Sequence, residues 1–123
     1  MIDDISIQEK MRIVQELVPG KQITLAHVIA NPDNILYRKL GLDPAVEYSK
    51  TAIGIVTMSP AETAIIAGDI AIKSSGVELG FVDRFSGTLI VTGTISDVMA
   101  SLTALVEYCK NTLGFTVCPI TKT

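Results

Sequence analysis

His27, Cys109 and Cys118 are the only imidazole and the only thiols in the chain, so their surroundings decide what nucleophilic or metal chemistry it could carry. His27 lies inside an apolar strand-like run with no Cys, Asp or Glu at ligand spacing. A lone histidine so placed reads as a structural residue rather than a metal ligand. Cys109 falls on the apolar stripe of a helix, Cys118 has no base at motif spacing, and their separation matches no metal site. The glycines are scattered, without phosphate-loop spacing. No catalytic residue, metal or cofactor is therefore expected, and the chain does not read as an enzyme.

A different kind of chemistry is concentrated in Asp83, Arg84, Phe85, Ser86 and Gly87. Two opposite charges and an aromatic ring stand in a tight turn between two apolar strands, 77–82 and 88–93. Either Phe85 folds back as core, or the turn faces something other than bulk water, such as another copy of the chain. Asp83 and Arg84 are equally open: they pair with each other, or one of them presents its charge outward.

The elements that must position this turn follow from punctuation and period. Residues 11–18 alternate like a strand but neither face is cleanly polar, and Pro19-Gly20 breaks the chain. Residues 22–29 are β-rich. Asn31-Pro32 predicts a short helix with Asn31 as N-cap, ending at Gly41. Residues 42–50 read as a loop, and 52–58 as a strand covered on both faces. Ser59-Pro60-Ala61-Glu62 predicts a helix start with Ser59 as cap and Glu62 completing a capping box. Ala61, Ala64, Gly68 and Ala71 give that helix a small-residue face for close packing on a sheet. After the two hairpin strands, Ser96 or Thr94 caps a last helix whose stripe is Val98, Leu102, Leu105, Val106, Cys109 and Leu113. Gly114 ends it, and 115–120 is extended.

From residue 52 the order is strand, helix, strand, strand, helix, strand, an α/β (α+β) ferredoxin-like arrangement. Two strands and a short helix stand ahead of it as a surplus. At 123 residues the chain is one domain, and its composition is 48% hydrophobic, 19% charged and 5% aromatic, with a mean hydropathy of +0.44. So much aliphatic surface on a small domain favours an oligomer. No run reaches the roughly 20 apolar residues of a spanning helix. The acidic N-terminus is unlike a secretory signal. A cytosolic protein with free thiols is expected, with no membrane partner. Its net charge of -3 carries no basic patch, which argues against nucleic acid.

Residues 13–30 (IVQELVPGKQITLAHVIA), 52–55 (AIGI) and 80–87 (GFVDRFSG) together resemble one family. It is the circularly permuted, single-domain shell protein of bacterial microcompartments, of the ethanolamine, propanediol and choline utilisation type. The resemblance implies a homohexamer that tiles into facets, with other shell proteins, around enzymes generating an aldehyde in the bacterial cytoplasm. It accounts for the surplus elements as a strand and helix (22–41) moved from the C-terminal end, ahead of core elements at 52–114. Residues 1–11 mix acids and apolars without a period and are expected to be a flexible arm ahead of the domain at 12–123. Within 12–18, Ile13, Val14, Gln15, Glu16, Leu17 and Val18 would form a six-stranded barrel capping the central pore, with an apolar closed lumen or a polar conducting one. The 83–87 turn, about two residues shorter than in ordinary shell hexamers, would lie at the pore. Lys73 would meet its counterpart at the hexamer edge, where Asn31 replaces the arginine of many relatives. Thr51 in place of a glycine implies a flat ring. Residues 115–123 either fill the strand place vacated by permutation or run as a tail over a neighbour. A docking surface for encapsulated enzymes is a second role for the same ring. The alternative from another class is a ferredoxin-like small-molecule-sensing regulatory module.

Overall fold

Residues 52–58 hold Ala, Ile, Gly, Ile, Val, Thr and Met, and such a run is stable as a strand only if both its faces are covered. The computed structural model describes residues 20–42 and 51–123, and in it this run is the centre of the sheet. The described elements are β1 (Gln22–Ile29), α1 (Asn34–Lys39), β2 (Ala52–Ser59), α2 (Thr63–Ser74), β3 (Glu78–Asp83), β4 (Thr88–Gly93), α3 (Ile95–Asn111) and β5 (Thr121–Lys122). Their five strands form one sheet in the order β3-β4-β2-β1-β5. The expected arm at 1–11, barrel strand at 12–18 and loop at 43–50 lie outside the described residues.

Neighbouring strands from β3 to β1 are antiparallel, with Gly54 opposite both Val28 of β1 and Val91 of β4. In the split βαβ arrangement the last strand lies beside the first. Here β1, which comes earlier in the chain, holds that place beside β2. The C-terminal segment adds outside it: β5 runs parallel to β1, with His27 opposite Thr121, and Thr116 bridges to Gln22. It therefore lies along the edge of its own chain's β1.

Strand alternation divides β2 between two apolar cores. Ala52, Val56 and Met58 join Val28, Leu89, Val91 and the buried faces of α2 and α3. Ile53 turns the other way, with Ile90, Tyr37 and Leu42. Both faces of the strand are thus covered, as its composition requires. Gly54 is where α3 comes nearest: a Cβ there would lie 2.8 Å from Val98 Cγ1 and 2.9 Å from Leu102 Cδ1. Leu102 and Leu105 are wholly buried, and truncating either to Ala would cost about 2–5 kcal/mol. The small face of α2 is buried at Ala64, Ala67, Gly68 and Ala71. There the two helices are joined by Ser101 Oγ, which donates to the Ala71 carbonyl at 2.9 Å.

Two helix starts differ from expectation. Asp33, not Asn31, caps α1: its Oδ1 accepts from Ile35 N at 3.0 Å, which leaves Asn31 and Pro32 ahead of the helix. A carboxylate two residues before a free amide is the better acceptor for it. At α2, Ser59 is still paired with Gln22 in the sheet and is not free to cap. Glu62 stands at the N-cap without a side-chain bond, so the expected capping box does not form. Main-chain bonds from Thr63 N, Ala64 N and Ile65 N to Pro60 O, Ala61 O and Glu62 O close the first turn instead. At α3, of the two candidates, Thr94 is the cap, accepting from Asp97 N at 3.1 Å.

Candidate assembly site

The turn at 83–87 is built from three local bonds and one long-range clamp. Gly87 N donates to Asp83 O at 2.9 Å, closing the loop. Phe85 N donates to Asp83 Oδ1 at 2.9 Å, and Ser86 Oγ to Thr88 Oγ1 at 3.0 Å. Gly87 has φ +75, the left-handed conformation that side chains disfavour. Its carbonyl accepts from Met58 N at 2.9 Å, fastening the tip to the end of β2.

This geometry resolves both alternatives left by the sequence. Phe85 does not fold back; it is 80% exposed, the most exposed large apolar side chain among the described residues. Asp83 and Arg84 do not pair. The Asp83 carboxylate turns into the loop, where chiefly the Phe85 amide holds its pKa below the usual carboxylate value. The Arg84 guanidinium instead lies over the Phe85 ring, Cζ 4.9 Å from the centroid.

A broad apolar surface continues from the turn. β3 is an edge strand, and Leu79, Phe81 and Val82 along it are exposed. On α2, Ile65, Ile66 and Ile72 are exposed, whereas Ala64, Ala67, Gly68 and Ala71 are buried. Ile65 and Ile66 could have been found in the sequence, since a pair of large β-branched residues beside an alanine face has no place in that face.

Lys73, in the last turn of α2, is exposed and forms an i,i+4 ion pair with Asp69 at 2.8 Å. Asn31 is exposed beyond the end of β1. No bond joins Asn31 and Lys73 within the chain. Ile13, Val14, Gln15, Glu16, Leu17 and Val18 lie outside the described residues. Thr51, just before β2, accepts at its carbonyl from the Tyr37 hydroxyl and donates through Oγ1 to Tyr37 Oη at 3.3 Å.

His27 is a fastening residue for the C-terminal segment. Its Nδ1 is 2.5 Å from Thr121 Oγ1 and its Nε2 2.9 Å from Thr123 Oγ1. Main-chain bonds from Thr123 N to Val28 O and from Ala30 N to Thr123 O flank these contacts. Cys109 is buried, and burial pushes its thiol pKa up, which disfavours the reactive thiolate. Among the described residues no three His, Cys, Asp or Glu side chains cluster as metal ligands.

An open sheet edge, an apolar helix face and a clamped turn bearing an aromatic tip define an assembly module. Residues 52–121 match the BMC domain family. The chain is 52% identical over 111 residues to the bacterial microcompartment shell protein CutR of Streptococcus intermedius, covering 90% of this chain and 91% of that one. It is 51% identical over 112 residues to the shell protein PduU of Salmonella typhimurium (91% and 93%), and 50% over 113 to EutS of the same organism (92% and 97%). Among solved structures, a CutR flat hexamer matches with a TM-score of 0.79 at 50% identity, over 86% of this chain and 94% of that one. A CutR screw form matches at 0.75 and 50%, over 85% and 100%. The chain belongs to the BMC-domain family of bacterial microcompartment shell proteins, and its role is structural. The sensing-module alternative has no support among these relatives.

Proposed function

We propose that this chain forms a homohexameric ring that tiles, with other shell proteins, into the facets of a bacterial microcompartment in the cytoplasm. The enclosed enzymes would be those of an aldehyde-generating pathway. The observation that carries this reading is the match to the CutR flat hexamer at 50% identity over 86% of the chain. The exposed apolar residues of α2 and β3 support it, because a neighbouring subunit would cover them. The protein acts by assembly and passage, not by catalysis.

Within the ring, the turn of Asp83, Arg84, Phe85, Ser86 and Gly87 faces the axis, and residues 12–18 form the barrel that caps it. Lys73 and Asn31 stand at the boundary between rings. Thr51, tied to Tyr37 on α1, favours a flat ring over the screw also seen for CutR. The ring's faces offer docking sites for encapsulated enzymes. Native mass spectrometry of the purified protein should give a hexamer, and negative-stain microscopy should show sheets or six-fold rings. A dimer or monomer that never assembles would refute the reading.

A further inference from the structure

The two edges of the sheet are built differently. Along one of them β3 leaves Leu79, Phe81 and Val82 exposed. The other would belong to β1, but the C-terminal segment closes it. At the start of β1, Ile23 N donates to Thr116 O at 2.8 Å and Thr116 N to Lys21 O at 2.9 Å. At its end, Thr123 N donates to Val28 O and Ala30 N to Thr123 O, both at 2.9 Å. Alternate strand residues share a face, so Thr121 and Thr123 both reach His27, which holds one hydroxyl on each ring nitrogen. An uncovered β1 would present a row of unpaired main-chain groups beside the exposed Leu25, a template for another chain. The segment that covers it is a poor template: Pro119 has no N–H, β5 is two residues long, and Lys122 within it is exposed.

We propose that residues 115–123 are an edge guard latched by His27, which keeps β1 from pairing with β1 of a second copy. Two identical edges can pair antiparallel about a two-fold axis, each supplying the donors and acceptors that the guard now holds. Such a pair is closed on itself and adds no copy to a ring, so the guard directs association away from β1. His27 is a positioning residue in this device, acting only through the two threonines it holds. The guard belongs to the single chain and does not depend on the ring.

The test is hydrogen exchange at the Ala30 and Thr123 amides in the protein and in two paired variants, Thr121→Val with Thr123→Val and Thr121→Ser with Thr123→Ser. Valine keeps the branched shape and removes the hydroxyls, whereas serine keeps the hydroxyls. Exchange should be about tenfold faster in the valine pair, the worth of one to two hydrogen bonds, and close to the parent rate in the serine pair. In a Cys118→Ser background, Leu25→Cys should form chain-to-chain disulfides under a mild oxidant when the valine pair is present, and not when it is absent. Equal exchange in the valine and serine pairs overturns the inference, as do faster exchange without cross-links and cross-links already formed without the valine pair. Native mass spectrometry of the parent reports the ring separately, so a failure of the guard and a failure of the ring are told apart.

Discussion

Met58 and Gly87 clamp the turn at 83–87 to the sheet. Met58 N donates to the Gly87 carbonyl at 2.9 Å, and the Met58 carbonyl lies well inside van der Waals contact of where a Cβ on residue 87 would be. Gly87 also has φ +75. Gly87→Ala should therefore destabilise the protein by roughly 2–4 kcal/mol, combining the left-handed backbone with the clash. Urea denaturation measures it, and a change below about 0.5 kcal/mol would mean that the clamp does not exist.

Asp83 gives the same turn a pH signature. Its folded-state pKa is lowered, chiefly by the Phe85 amide, so its contribution is complete above the ordinary value of 3.8 and fades as pH falls through the lowered one. Asp83→Asn should flatten the acid limb of the stability curve, measured as urea midpoints between about pH 5 and pH 3. Identical acid limbs in the two proteins would contradict the bond from Phe85 N.

The two thiols should separate cleanly by accessibility. Cys109 is 1% exposed, whereas Cys118 is partly exposed. In the folded protein a thiol reagent should modify Cys118 alone, with Cys109 reacting only after denaturation; Cys118→Ser should abolish labelling of the native state. Comparable labelling of both sites would show that α3 is not packed as described.

Lys73→Glu places a second carboxylate one helical turn from Asp69 and removes an exposed pair worth well under 1 kcal/mol. Thermal stability should barely change, and native mass spectrometry should still give the ring. Sheet formation should be impaired, because one substitution acts twice across a symmetric boundary. Unchanged sheets would remove Lys73 from the ring edge.

Much of this fold is legible in the residues themselves. The run at 52–58 demanded cover on both faces, and the α2 and α3 stripes named the elements that supply it on one side. The misplaced caps share one cause: Asn31 and Ser59 are good cap residues by type, but Asp33 outcompetes one and strand pairing with Gln22 occupies the other. Propensity does not know about partners distant in sequence. For the same reason the His27 contacts with Thr121 and Thr123 were invisible, since only the sheet brings those residues together. In the turn, the sequence presented two charges of apparently equal standing. The path of the backbone separated them, because Phe85 N lies where it captures Asp83.

A cryo-electron reconstruction of the purified protein would show the ring itself. Six-fold rings are expected, with the exposed faces of α2 and β3 covered by neighbours and the six 83–87 turns surrounding the axis. A protein that remains monomeric or dimeric, or a ring with Phe85 and Arg84 on its outer rim, would contradict that arrangement.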